Sequence, residues 1–251
     1  MRYFTVGAYW HKRQLTLQQY ADATRTFFVQ LQEFHQVFRQ LEWVGTRPNS
    51  AIKVNADLGN LDELIFQYAG DSHYFHTHAN PDGTPSWEST CAYGYSMIYD
   101  TGRAASGGGV GVGIRAGNAE TRTPSAVTIS FPAVDDARFP YREFYDYAFL
   151  KKLFLMVIRC WEPQKGLVMS HAFSHAFVDE GPTHVGWLTY LRDPRAAALR
   201  HSAALSGLHF EETPDGGTLI SLDTQIISPD NFAQVEKARR LRSKLIAEKI
   251  V

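Results

Sequence analysis

Residues 170–177 read Ser-His-Ala-Phe-Ser-His-Ala-Phe, which sets two imidazoles, His171 and His175, four positions apart with a serine before each. A neutral imidazole ligates zinc and later transition ions, and beside a hydroxyl it can act as a general base. Metal-assisted hydrolysis and serine nucleophile catalysis are therefore the two chemistries to test. A helical His-x-x-x-His zinc motif carries Glu directly after its first histidine to activate water, and Ala172 stands there. The pair also supplies only two of the three or four ligands a zinc enzyme needs. His73, His76 and His78 offer more nitrogens, but nothing in the sequence brings the two regions together. A nucleophile elbow requires Gly-x-Ser-x-Gly ahead of a helix, whereas Gly94-Tyr95-Ser96-Met97-Ile98 lacks the second glycine. The glycine-rich run 106–117 leads to Pro124 and a further β-prone stretch, so it is no phosphate-cradling loop opening a helix. A small metal-dependent or Ser/His hydrolase built on His171 and His175 is the alternative left standing, without a base or a complete ligand set. No catalytic residue, metal ligand or cofactor-binding residue is assigned.

The elements around the pair favour a structural role for it. Pro163 and Gly166 interrupt any helix, so residues 166–173 read as a strand and the repeat as framework. Residues 2–9 read as a first strand. Leu17, Tyr20, Ala21, Thr24, Phe27, Phe28, Leu31, Phe34 and Phe38 recur at helical spacing and predict a helix from Leu17 to about Leu41, with Thr16 and Gln19 as its capping box. A shorter helix follows Asn60, with Glu63 three positions on, a third runs from about Tyr141 to Trp161, and a last one begins near Asp230. Between them lie short β-prone runs bounded by Gly, Pro, Asn and Asp, and Pro214-Asp215-Gly216-Gly217 closes a hairpin. Strands bunched between helices predict an α+β fold, a largely antiparallel sheet packed by about four helices, with residues 1–251 as a single domain.

Composition narrows the function. The 251 residues carry a formal charge of −1 with 44% hydrophobic side chains, an ordinary globular balance with no basic excess for phosphates. Direct nucleic-acid binding is not expected. Cys91 and Cys160 are the two cysteines, too few for a disulfide framework or a Cys-x-x-Cys zinc site. The N-terminus lacks a signal-peptide apolar core, and the apolar run 153–158 is too short to cross a bilayer. A cytoplasmic protein with no membrane partner is expected.

Several segments, taken in order, carry a resemblance. Ala8-Tyr9-Trp10 with Arg13 and a Thr-capped aromatic helix, 57–65 (DLGNLDELI), 94–96 (GYS), 161–173 (WEPQKGLVMSHAF), 184–191 (HVGWLTYL), 216–220 (GGTLI) and Asp230-Asn231 are together similar to the immunity protein 52 family of bacterial polymorphic-toxin systems. The resemblance implies a non-enzymatic protein that binds and neutralises a cognate secreted toxin in the bacterial cytoplasm. The toxin it implies has a restriction-endonuclease-like nuclease domain and travels by type VI or a related contact-dependent secretion system. An inhibitor of this kind needs an interface of about 1,600 Å² with a few aromatic or charged anchors. The acidic stretch 177–182, through Asp179 and Glu180, could pair with phosphate-binding Lys and Arg of a nuclease, and Trp87, Tyr93, Tyr95 and Tyr99 are the aromatic candidates. His175 joins them because it lies nearer the acidic stretch than His171 does.

Overall fold

The computed structural model describes residues 3–45, 51–69, 80–81, 84–101, 108–119, 124–177 and 185–251. The chain forms two compact units, residues 9–130 and residues 1–8 with 131–251. The first strand, β1 (Phe4–Trp10), begins in one and ends in the other.

In residues 9–130 a helix pair covers one face of an antiparallel sheet. Helix α1 (Leu17–Phe34) starts at the expected capping box: the Thr16 hydroxyl accepts from the Gln19 amide at 3.2 Å, and the Gln19 side chain accepts from the Thr16 amide at 3.0 Å. It ends at Phe34, earlier than the periodicity predicts. His35 is extended, and its Nδ1 accepts from the Val37 amide, which caps a separate 3-10 turn over Gln36–Gln40. After β2 (Glu42–Trp43) and β3 (Ile52–Lys53) comes α2 (Leu61–Ala69). Asn60 precedes it, but its amide oxygen accepts from the Asn55 amide and its nitrogen donates to the Lys53 carbonyl, so the side chain ties down the loop. Strands β4 (Tyr95–Asp100), β5 (Gly111–Ala116) and β6 (Ser125–Phe131) form the expected meander, and the strand order is β3-β2-β4-β5-β6, antiparallel throughout. Aromatic contacts seat α1 on the sheet. Tyr20 meets Tyr95 at 5.3 Å between ring centroids, Phe28 meets Tyr99 edge-on at 4.7 Å, and the Tyr20 hydroxyl donates to the Ile114 carbonyl.

In residues 131–251, α3 (Tyr147–Trp161) follows a 3-10 turn at Arg142–Tyr145. Asp146 separates them by accepting from the Phe149 amide as N-cap. Glu162, left-handed at φ 44°, ends α3 ahead of Pro163. Strands β7 (Lys165–Ser170), β8 (Leu188–Leu191), β9 (His209–Glu212) and β10 (Thr218–Ser221) extend from β1 in the order β1-β7-β8-β10-β9. The β7-β8, β8-β10 and β9-β10 pairings are antiparallel, and the last is the hairpin expected from residues 214–217. Helix α3 lies close to β7: a Cβ on Gly166 would stand 2.8 Å from the Phe154 ring and 2.9 Å from the Gly7 carbonyl. Phe4, Phe131, Phe139, Phe144 and Tyr145 form an aromatic cluster at the start of this unit. Helices α4 (His171–His175) and α5 (Arg195–Ala198) are single turns, and the last helix is α6 (Phe232–Ala247). Gln234, buried in its first turn, accepts from the Ser228 amide and donates to the Asp223 carboxylate, while Lys237 donates to the Leu222 carbonyl just past β10.

The architecture is α+β with a largely antiparallel sheet, and the four longer helices are those read from the periodicity. Among the described residues no helix is long and apolar enough to cross a membrane.

Two measurements check this packing. Gly166→Ala should lower unfolding free energy in urea by about 1–3 kcal/mol, because neither the Phe154 ring nor the β1 backbone can retreat freely. The hairpin is pH-sensitive through Asp215. Burial raises its carboxyl, but hydrogen bonds from Thr213, Tyr190 and the Gly217 amide outweigh that, and its pKa lies below the ordinary carboxylate value. A depressed carboxylate stabilises the fold above the ordinary range, and that stability is lost as pH falls through the folded value. Asp215→Asn should therefore flatten the acid limb of a stability-against-pH profile.

Candidate functional surface

The histidine repeat does not continue β7. The strand ends at Ser170, whose buried hydroxyl accepts from the Phe173 amide at 3.0 Å and so caps the single helical turn α4. The expected framework strand is thus corrected to a strand of six residues followed by a turn of helix. The His171 amide donates to the Tyr3 carbonyl at 2.7 Å, and the Ser174 hydroxyl donates to the His171 carbonyl at 2.8 Å. Both serine hydroxyls therefore serve the backbone. Phe173 and Phe177 point inward, buried, with their rings 5.5 Å apart, and the Arg239 guanidinium lies 5.9 Å from the centre of the Phe177 ring. His171 and His175 point outward. Both are exposed, with ring centroids 4.5 Å apart and planes at 74°.

The aromatic candidates divide. Tyr95 and Tyr99 are fully buried, so neither can serve as a surface anchor. Tyr95, Met97 and Tyr99 alternate onto the face that α1 covers, where the Tyr95 hydroxyl donates to the Ser89 carbonyl and burial raises the pKa of both phenols. Trp87 is half-buried, its ring 4.9 Å from that of Phe66 and its carbonyl accepting from the Gln18 amide. Tyr93 is 41% exposed. It escapes the parity of β4 because Gly94 adopts φ 78°, a conformation in which a Cβ would come within 2.6 Å of the Ala116 carbonyl. Asp179 and Glu180 lie outside the described residues, as do His73, His76 and His78.

One surface residue is absent from the sequence-based candidates. Ile98 is 58% exposed on the outward face of β4, in register with Gly113 on β5, which in turn faces Thr128 on β6. Its signal is the glycine-rich run. Gly111 and Gly113 share one parity of β5, while Val112 and Ile114 share the other and are buried. With no side chain on Gly113 opposite it, Ile98 is left uncovered on that side.

Charged side chains on the surface are locally paired. Arg25 meets Asp62 at 2.7 Å, Arg195 meets Asp193 at 2.6 Å, Lys151 meets Glu211 at 2.5 Å, and Arg239 and Lys244 pair with Glu236 and Glu248 along α6. Such pairs contribute little stability each but leave no broad field of one sign. Among the described residues no three His, Cys, Asp or Glu side chains are grouped to share a metal ion.

Residues 2–251, nearly the entire chain, match the family immunity protein 52. The chain belongs to that family. Its fold is similar to that of a solved Pseudomonas aeruginosa T6SS protein, PA0821, with a TM-score of 0.53 at 17% identity, over 96% of this chain and 73% of that one. A comparison with curated proteins finds no match.

Substitutions separate surface from core in this immunity protein. Tyr99→Ala should cost about 3–5 kcal/mol of stability, the cost of emptying a buried aromatic site. His175→Ala and Ile98→Ser should each stay within about 0.5 kcal/mol of the parent protein in denaturant unfolding.

Proposed function

We propose that this protein binds a cognate toxin domain of nuclease type and neutralises it in the cytoplasm of the producing bacterium, with residues 1–251 acting as one immunity domain. The protein acts by occupying the toxin, not by catalysis. The match to immunity protein 52 over residues 2–251 carries the reading. The fold shared with a T6SS protein supports delivery of the toxin by a type VI system.

The physical requirements of such an inhibitor are modest. An interface of about 1,600 Å² with a few well-packed anchors is sufficient, and overall neutrality is no obstacle. Exposed Tyr93, half-buried Trp87 and exposed His175 are available as contacts, with Ile98 added to them. Asp179 and Glu180 steer a basic, phosphate-binding surface toward the protein, because complementary charge acts mainly on the rate of encounter.

Co-expression with the toxin encoded beside this gene tests the proposal. Cells carrying both should grow, and cells carrying the toxin with an empty vector should not. Loss of rescue with both proteins present in the soluble fraction would sink it. Asp179→Lys combined with Glu180→Lys should slow association at least about tenfold at low salt and flatten its salt dependence, measured by surface plasmon resonance.

A further inference from the structure

We propose that His171 and His175 form a surface chelate for a divalent late transition ion, Cu2+ or Ni2+. The inference is independent of the toxin-binding reading and rests on α4 being helical. On a strand, residues four apart would stand about 13 Å from each other. On a helical turn, i and i+4 lie one above the other, and here the imidazole centroids are 4.5 Å apart.

That separation is informative. Two imidazoles bound at about 2.0–2.1 Å to one ion have their rings a few ångströms apart, and a pair 4.5 Å apart lies within that reach. Imidazole nitrogens suit Cu2+ and Ni2+, and cis pairs of them are accommodated in the tetragonal and octahedral sites these ions prefer. The rings stand T-shaped, and bringing one nitrogen of each toward a common ion requires rotation about χ2, a soft torsion.

The surroundings favour this ion class further. Both rings are exposed, so water can fill the other coordination positions and no buried charge is created. Among the described residues no third His, Cys, Asp or Glu joins the pair. A two-nitrogen site of this kind selects by intrinsic affinity, which peaks at Cu2+ in the first-row series. The turn beneath the pair is held by the Ser170 cap, by buried Phe173 and Phe177, and by Arg239 against the Phe177 ring, so little ordering is lost on binding. Bound metal bridges residues 171 and 175 and holds α4 in its helical form.

Cu2+ added to the full-length protein tests the site. Calorimetry should show a saturable equivalent that is absent, or weakened at least about tenfold, in His171→Ala/His175→Ala, while His209→Ala, at an exposed position on β9, binds as the parent does. The Cu2+ electron paramagnetic resonance spectrum of the parent should carry nitrogen superhyperfine structure from two ligands, reduced in either single variant. Cu2+ should also raise the melting temperature of the parent more than that of the double variant. His171→Gln/His175→Gln, which keeps a polar side chain on the turn, provides a second comparison should the alanine pair misfold. Equal stoichiometry and affinity in the parent and in a folded double variant would overturn the proposal.

Discussion

A helix can approach a sheet only as closely as the side chains between them permit, and at Gly166 the sheet has none. Phe154 of α3 occupies that space, close enough that a single methyl group on β7 would collide with its ring and with the β1 carbonyl at Gly7. The register of α3 follows from this contact. It brings Tyr147 within 2.8 Å of the Ser221 hydroxyl and Lys151 to the Glu211 carboxylate, so one helix reaches both β10 and β9. It also fixes β7, whose last residue, Ser170, caps the turn that presents the histidine pair. The surface at His171 and His175 therefore follows directly on close packing in the same short strand, where Gly166 lies five residues before His171.

In residues 9–130 the same problem is met with bulk instead of absence. Tyr20 and Phe28 of α1 lie against Tyr95 and Tyr99, and the sheet is crowded with aromatics on that face. Its other face is nearly bare where Gly111 and Gly113 run beside Ile98. Val112 and Ile114 fill the core face of β5, while Gly111 and Gly113 add nothing to its outer face ahead of Arg115. The local pairing of charges has a parallel consequence. Several cations of the described surface, among them Arg25, Arg195, Arg239 and Lys244, each stand beside an acid, so attraction at those points is short-ranged.

Much of this was legible in the residues, and the places where it was not share a cause. The Thr16 and Gln19 box, the Glu162-Pro163 stop and the hairpin at residues 214–217 are local devices whose chemistry is complete within a few residues. The periodicity that extends α1 to Phe38 is real, since Phe38 is buried, but a backbone turned at His35 restores the same face in a 3-10 turn. Alternation along 93–99 shows that one set of tyrosines shares a face without showing which face is covered, and Gly94 moves Tyr93 out of the set. Ser170 hides two roles in one residue. It fits the buried parity of β7 and is also a good N-cap, and the competition between them is decided by its hydrogen bond to the Phe173 amide, which the pattern of residue types does not display.

That decision changes what the histidines can do. As neighbours on a strand, each imidazole would act alone, and the missing carboxylate at Ala172 would end the discussion. On a capped turn the two rings share one side, while Ser170 and Ser174 are committed to the backbone and cannot be activated without releasing it. The geometry thus commits both serine hydroxyls to the backbone and sets the two imidazoles side by side. Water activation would still need a general base at the metal, and among the described residues no third ionisable ligand stands beside the pair. Chelation, the chemistry proposed for the pair, asks only that the two rings stand on one side of a turn that is already held in place, and the Ser170 cap with buried Phe173 and Phe177 supplies that.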